Sequence, residues 1–152
     1  MKVFDFLCQK AIALDLQSRD KKGAITELVD LLYKEKKVKD SAKAINAIIE
    51  REKLGTTGVG QGVAIPHGRT DSVNELVGAF GISKHGVEFE ALDGEPVHLI
   101  FLLLSPVESA GHHLRALARV SKLFKDKFFR QALLDAKSVD EVLKIIHQED
   151  EY

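Results

Sequence analysis

The hydrophobic positions in the first third of the chain follow a helical spacing. Between residues 20 and 55, apolar side chains recur at intervals of three and four residues, which predicts two amphipathic helices. Ser18 or Asp20 is expected to cap the first helix. Asp40 or Ser41 is expected to open the second helix, which ends near Gly55. The positions expected to face the core are Ile25, Leu28, Val29, Leu31, Leu32, Ala44, Ile45, Ile48 and Ile49.

Four other segments have the composition of β-strands, with apolar residues bounded by polar or turn-forming ones. They are Ala11–Leu16, Val63–Ile65, Glu75–Ile82 and Val97–Leu104. The last of these is almost entirely apolar, so it is expected to lie in the centre of the sheet with both faces buried. The Asp-Gly pair within residues 92–95 predicts a tight turn just before it.

The helical spacing returns after Pro106 and predicts three helices in the last third of the chain. Residues 138–141 (SVDE) have the form of a capping box, which opens the last of the three. The positions expected on the inward-facing stripes are His113, Leu114, Leu117, Val120, Leu123 and Phe124, then Phe128, Leu133 and Leu134, then Val142, Ile145 and Ile146. Because helices and strands are interspersed, residues 1–152 are expected to form one α/β domain, with a mixed β-sheet flanked by helices on both sides.

Composition narrows the classes of function that remain. The formal net charge of −1 offers no broad basic field for nucleic acid or for an anionic membrane. The single cysteine, Cys8, cannot form an internal disulfide, which suits a reducing cytoplasm, and it is expected to be buried. The longest apolar stretch, Val97–Leu104, is far shorter than the ~20 residues of a membrane-spanning helix, and the amino terminus lacks signal-peptide features. We therefore expect a soluble, cytoplasmic protein without membrane insertion.

The stretch Gly58–Gly68 (GVGQGVAIPHG) contains the strongest candidate for chemistry, His67. Pro66 fixes its own φ and holds Ile65 extended, so His67 is expected at a rigid strand end beside an unobstructing glycine. Near pH 7 a neutral imidazole is a nucleophile that needs no separate base. A polar histidine in a turn is the plainer interpretation, and composition alone favours it. A phosphate-cradling loop is disfavoured, because no Gly-Lys-Ser/Thr follows and the next element is a strand.

This glycine-rich stretch resembles the signature of the fructose/mannitol/nitrogen-type IIA domains of the bacterial phosphotransferase system. Further landmarks of that family occur in the same order over nearly the whole chain. They are Arg51-Glu52, Leu92-Asp93-Gly94-Glu95-Pro96-Val97, Leu102-Leu103-Leu104-Ser105-Pro106 and His113-Leu114. The resemblance implies that His67 is the phosphorylated residue.

The resemblance implies supporting roles for two more residues. Arg51 matches the basic residue of the family's active site, where a guanidinium can pair with phosphoryl oxygens, although on sequence alone a surface arginine is the plainer interpretation. His113 matches the second histidine, at a helix start whose free N–H groups attract phosphate. His112 stands next to it, and we favour His113 because Leu114 and Leu117 follow it in the family pattern. His85, His98 and His147 match no functional position.

The predicted function is that of a phosphotransferase component with a phosphohistidine intermediate. It would accept phosphate from a phosphocarrier protein and pass it to a IIB domain, without a cofactor or metal. The alternative is a nitrogen-type regulatory protein whose phosphorylation state controls its protein partners, and the lack of a fused IIB or IIC segment favours this branch. A structural α/β domain without chemistry is a third interpretation. The partner is expected to approach over small residues near His67, namely Gly58, Val59, Gly60, Gly62, Ala64 and Gly68.

Overall fold

A computed structural model describes all 152 residues and shows the predicted α/β architecture, a six-stranded mixed sheet with helices on both faces. The elements are β1 (Leu7–Ala13), α1 (Lys21–Lys34), α2 (Ser41–Glu52), β2 (Gly58–Gly60), β3 (Val63–Ala64), β4 (His67–Arg69), β5 (Val77–Val87), β6 (Val97–Ser105), α3 (Ala110–Phe124), α4 (Lys127–Asp135) and α5 (Val139–Asp150). The strands run in the order β1-β5-β6-β3-β2, and β4 also pairs with β6.

The apolar strand β6 lies in the centre of the sheet, as its composition predicts. Its side chains alternate between two hydrophobic cores, one on each face of the sheet. Ile100, Leu102 and Leu104 join the core covered by α1 and α2. Leu99, Phe101 and Leu103 join the core covered by α3, α4 and α5. The two helical layers therefore pack against opposite sides of one strand.

Side-chain caps set the starts of three helices where the sequence places them. Asp20 accepts a hydrogen bond from the Gly23 amide, and Asp40 accepts one from the Lys43 amide, which resolves both open alternatives in favour of aspartate. Ser138 accepts from the Glu141 amide at the start of α5. Helix α3 differs, because the side chain of its N-cap residue, Ser109, forms no capping bond. The amides of its first turn are thus left available for another acceptor.

The bounds of β1 and β5 differ from the predicted ones because extra residues interrupt the register of each strand against its partner. β1 begins at Leu7, four residues before the expected start, and its register against β5 shifts between Leu7 and Ile12. β5 continues to Val87, five residues past the expected end, and its register against β6 shifts between Ile82 and Val87. Such an interruption breaks the alternation of apolar and polar residues from which strands are predicted.

β3 and β4 behave as one strand that is interrupted at Ile65 and Pro66. Ala64 lies opposite Ile100 and His67 opposite Leu103, so the register against β6 is the same before and after the interruption. Pro66 has no N–H to donate, yet its carbonyl accepts from the Leu103 amide and keeps the chain in line. His67 was expected at the end of a strand and instead begins a new segment of one.

Several apolar residues predicted to face the core are exposed. Leu114 is 66% exposed, because the buried face of α3 runs through His113, Ala116 and Val120, and Leu114 points about 100° away from His113. Phe128 and Leu134 are exposed on α4, while their neighbours Phe129 and Leu133 are buried. Cys8 is buried as expected. No helix combines the length and the apolar character that crossing a bilayer requires.

The carboxylate of Asp150 fastens the end of α5 to the start of the chain. It is 3% exposed and accepts hydrogen bonds from the amides of Val3 and Phe4. It also pairs with Arg119 of α3, at 2.8 Å from Nη2. One buried charge thus holds three segments together on the α3–α5 side of the sheet.

Candidate functional site

A cavity of about 680 Å³ opens at the edge strand β4, where helices from opposite faces of the sheet converge. Helix α2 forms one wall and α3 the other, and β4 lies between them. The residues that line it are Ala47, Glu50 and Arg51 of α2, Leu54 just after that helix, His67, Gly68 and Arg69 of β4, Val107 of the loop between β6 and α3, and Ala110, His113, Leu114 and Leu117 of α3. All three site residues predicted from the sequence line this one cavity.

His67 presents one ring nitrogen to the cavity and has the other engaged by the backbone. Its Nδ1 lies 2.8 Å from the carbonyl oxygen of Ile65. A carbonyl can only accept, so Nδ1 carries the proton of the neutral ring and Nε2 keeps a free lone pair. The interruption at Pro66 produces this geometry, because the Ile65 carbonyl bonds to the side chain two residues later. The Ile65 amide is held separately by the carbonyl of Thr57 at 3.1 Å.

His113 stands next to His67, in the first turn of α3. The two ring centroids are 5.2 Å apart and the ring planes are inclined by 55°. His113 is buried, whereas His112 is exposed and does not line the cavity. The helix turns the second histidine of the pair toward the sheet, and this agrees with the assignment favoured from the sequence.

Burial keeps both histidines neutral at physiological pH. Desolvation is the main cause that lowers the pKa of His67; the bond to Ile65 acts in the opposite direction, and the Arg51 guanidinium lowers it further. Desolvation also lowers the pKa of His113, to about 4, with smaller contributions from His67 and Arg69. The site therefore holds two uncharged imidazoles beside two permanent cations.

Arg51 supplies one of these cations from α2, and Arg69 supplies the other from β4. Arg51 bonds through Nη1 to the carbonyl of Gly55 at 2.9 Å, which anchors the side chain at the end of α2 and leaves its other N–H groups free. Arg69 bonds to the carbonyl of Val107. The sequence reasoning missed Arg69. The signal was its position two residues after His67, since alternate residues of a strand share one face.

A buried acidic residue, Glu52, supports the glycine-rich segment from behind. It is 8% exposed, pairs with Lys21 at 3.0 Å, and accepts hydrogen bonds from both the amide and the hydroxyl of Thr57. Thr57 in turn accepts from the Ile65 amide, so this network leads to the backbone that holds His67. Sequence reasoning used Glu52 only as a landmark and gave it no role.

The glycines near His67 do not form the open surface that the sequence suggested. Gly68 is buried, and a Cβ on it would lie 3.1 Å from backbone atoms of Ala47 and Ile48. Gly58 is likewise packed against Ala91. Val59 is exposed but lines a separate hollow. These positions serve the packing of the chain, and the expected docking surface is wrong in this respect.

Exposed apolar side chains border the cavity instead. Leu54 is 84% exposed, Leu114 66% and Val107 52%. Leu54 follows the end of α2, Val107 lies in the loop before α3 and Leu114 lies on α3, and all three line the cavity that contains the two histidines. Apolar groups exposed around a polar centre are typical of protein-binding surfaces.

The remaining histidines lie away from this arrangement. His98 bonds through Nδ1 to the carbonyl of Ser83 at 2.7 Å, and His85 and His147 are exposed. No group of three or more histidine, cysteine or acidic side chains is arranged to hold a metal ion. The cavity thus offers a neutral nucleophile, a second imidazole and two guanidiniums, a combination suited to a transferable dianionic group such as phosphoryl.

Comparison with known proteins agrees with this chemistry. The family model described as "Phosphoenolpyruvate-dependent sugar phosphotransferase system, EIIA 2" matches residues 5–149. The fructose-specific EIIABC component of Bacillus subtilis is 41% identical over 150 residues, which are 99% of this chain but 24% of that protein. The nitrogen regulatory protein of Bradyrhizobium diazoefficiens is 34% identical over 96% of this chain and 95% of its own length. The crystal structure of the nitrogen regulatory protein IIA-Ntr of Neisseria meningitidis superimposes with a TM-score of 0.86 at 40% identity, covering 93% of this chain and 97% of that one.

Proposed function

This chain belongs to the EIIA 2 family of the phosphoenolpyruvate-dependent sugar phosphotransferase system, and from that premise we propose that it carries the phosphoryl group on Nε2 of His67. The observation that supports this assignment best is the hydrogen bond between His67 Nδ1 and the carbonyl of Ile65. In this bond Nδ1 donates its proton to the backbone carbonyl, so Nε2 remains an unprotonated nucleophile facing the cavity.

The transfer needs no proton to leave the ring of His67. The lone pair on Nε2 forms a bond to phosphorus, while the phosphorus–nitrogen bond to the histidine of the phosphocarrier breaks and its electron pair returns to that ring. The proton on Nδ1 stays bonded to Ile65 and helps to stabilise the ring once the phosphoryl group is attached. Transfer onward to a IIB domain is the same displacement with this protein as the donor.

Arg51, Arg69 and His113 stabilise the charge on the moving group. The phosphoryl oxygens carry negative charge throughout a loose, in-line transition state, so donors fixed in place beforehand lower the barrier. The guanidiniums offer paired N–H groups. His113 lies close enough to contribute without being the nucleophile, because its ring lies beside that of His67.

The apolar border of the cavity is the surface on which the phosphocarrier protein docks. Leu54, Val107 and Leu114 project around His67 and offer contact area to an apolar patch on the partner. Transfer between two histidines requires a brief, close approach, and a modest apolar centre with a charged rim favours fast dissociation.

The test is phosphorylation by a phosphocarrier, its activating kinase and phosphoenolpyruvate. We expect one acid-labile, alkali-stable phosphate on His67, attached at Nε2 as judged by NMR of ¹⁵N-histidine-labelled protein. His67→Gln should abolish labelling, and the matched variant of the exposed neighbour, His112→Gln, should retain it. Labelling of the His67→Gln protein, or phosphate on Nδ1, would contradict the assignment.

A regulatory role is the second candidate. Its support is the likeness to nitrogen regulatory proteins, one of them 34% identical over 96% of this chain and another, of known structure, 40% identical over 93% of it. Both roles use the same phosphoryl chemistry, so they differ in the acceptor. The protein labelled on His67 should pass its phosphate rapidly to a fructose-type IIB domain if it serves transport. Retention of the label in the presence of IIB would favour regulation.

A further inference from the structure

A buried serine at the end of β6 contacts the second histidine of the site. Ser105 is fully buried, and its Oγ lies 2.5 Å from Nδ1 of His113. The Ser105 carbonyl accepts from the amide of Thr70, and Ser105 lies opposite Arg69 in the register of β4 with β6. The serine is thus fixed to the strand that carries His67.

The direction of this hydrogen bond follows from counting donors and acceptors. The Ser105 hydroxyl forms no other hydrogen bond, and the residue is inaccessible to solvent. If His113 donated from Nδ1, the hydroxyl proton of Ser105 would be buried without an acceptor, which costs roughly 1–3 kcal/mol. If the hydroxyl donates to Nδ1, both groups are satisfied. The second arrangement is therefore the stable one.

We propose that Ser105 is a positioning residue for the transfer: its hydroxyl donates to Nδ1 of His113 and thereby holds the proton of the neutral ring on Nε2, on the cavity side. This inference rests on the proposed phosphorylation of His67. It explains why His113 assists without competing, since its Nδ1 is engaged by Ser105 and its Nε2 carries a proton. The two rings are opposite tautomers, with a nucleophilic Nε2 on His67 and a donating Nε2–H on His113.

The low pKa of His113 is consistent with this role. A neutral ring would donate through Nε2–H only if the other tautomer were suppressed, and Ser105 is the group hydrogen-bonded to Nδ1. A charged imidazolium could donate from either nitrogen and would need no such partner. Because the pKa of His113 is held near 4, the tautomer matters at physiological pH.

The first test is the tautomer of His113 in the unphosphorylated protein, measured by long-range ¹H–¹⁵N NMR on ¹⁵N-histidine-labelled samples. We expect an unprotonated Nδ1 and a protonated Nε2 in the wild type. Ser105→Ala and Ser105→Cys should both shift the ring toward a mixture of tautomers, and Ser105→Thr should restore the wild-type pattern. The control is Ser83→Ala, which removes another fully buried hydroxyl, bonded to the Gly86 amide in β5. An Nδ1–H tautomer in the wild type would overturn the inference.

The second test is the rate of phosphoryl transfer. Ser105→Ala should lower the maximal rate by about tenfold and leave the apparent KM for the phosphocarrier unchanged, since a small loss of positioning suffices for such an effect. The double variant with His113→Ala should be no slower than His113→Ala alone, because Ser105 acts through His113. Additive losses would show that Ser105 acts by general destabilisation.

The two proposals can fail separately. Should the phosphate be found on another residue, the proposed function fails while the tautomer measurement still stands. Should His67 carry the phosphate and His113 show the opposite tautomer, only the role of Ser105 is lost. If Ser105→Ala does not fold, as judged by thermal melting, Ser105→Cys keeps the volume of the side chain and weakens only the donor.

Discussion

Replacing Gly68 by alanine should separate α2 from β4 and weaken both the fold and the site. An added Cβ would lie 3.1 Å from the Ala47 carbonyl carbon and from the Ile48 amide nitrogen, and 3.2 Å from the Ala47 oxygen. These are backbone atoms of a helix, so no side chain can rotate to make room. The helix itself must shift, by a few tenths of an ångström. Arg51 lies one turn further along this helix and shifts with it.

The expected cost can be worked from two opposing effects. Overpacking of a buried contact typically costs ~1–3 kcal/mol. Restriction of the unfolded chain by the new side chain returns ~0.4–1 kcal/mol. The net loss of unfolding free energy should be about 1–2 kcal/mol, which lowers the urea midpoint by roughly 1 M at an m-value of ~1–3 kcal/mol per molar. Because Arg51 is displaced by less than the ~1 Å that costs a hundredfold, transfer should slow by about two- to tenfold.

The assay is urea unfolding and phosphoryl transfer measured on the same protein preparations. Gly111→Ala is the matched stability control, because Gly111 lies in the first turn of α3 with no atom within 4 Å of the added Cβ, and it should be neutral or slightly stabilising. If Gly68→Ala matches the wild type in both stability and rate, the reasoning that a tight β4–α2 contact positions Arg51 is refuted.

Three further predictions follow from the structure. Asp150→Ala should cost ~3–5 kcal/mol of unfolding free energy, because it leaves the Arg119 guanidinium, only 14% exposed, and the amides of Val3 and Phe4 without their carboxylate partner. Glu151→Ala, at an exposed position, should change the unfolding free energy by less than ~0.5 kcal/mol; urea titrations measure both. The contribution of His113 to the free energy of unfolding should be complete above pH ~6.5 and should be lost as the pH drops toward 4, by at most about 3 kcal/mol. The reason is that His113 takes up a proton at a higher pH in the unfolded chain than in the folded protein. His113→Gln should remove this part of the pH dependence of unfolding. Leu114→Glu should raise the apparent KM for the phosphocarrier without altering the melting temperature. The control is Leu134→Glu, at an exposed apolar position outside the cavity, which should leave the transfer kinetics unchanged. Equal effects of the two substitutions would place the docking surface elsewhere.

The parts of the fold that the sequence predicts well are those fixed by local chemistry. Asp20, Asp40 and Ser138 cap helices because their side chains satisfy amides two or three residues away, a requirement visible in the sequence. The register shifts in β1 and β5 could not be predicted in this way, since extra residues in one strand are defined only against its partner. The short strands β2 and β4 pair over three residues or fewer and lack any apolar alternation of their own.

The residues of the candidate site likewise separate into those that the sequence indicates and those that only strand pairing brings to the site. His67, Arg51 and His113 were proposed because a resemblance supplied them, and the structure brings all three to one cavity. Arg69 could have been found from its position two residues after His67, whereas Ser105 was missed because its place beside the site depends on the register of β4 with β6, which sets it opposite Arg69. No spacing in the sequence carries that information, because the two residues are 36 positions apart and meet only through the sheet.

The convergence of α2 and α3 on the edge strand β4 makes phosphoryl transfer depend on the integrity of both hydrophobic cores. Arg51 is held by the layer on one face of the sheet and His113 by the layer on the other. Local opening of either layer would separate the guanidinium or the second imidazole from His67 while much of the protein stayed folded. A partly unfolded molecule would therefore stop transferring the phosphoryl group before it lost its secondary structure. On heating, the rate of phosphoryl transfer should therefore fall before the circular-dichroism signal of the helices does, whichever of the two helical layers opens first.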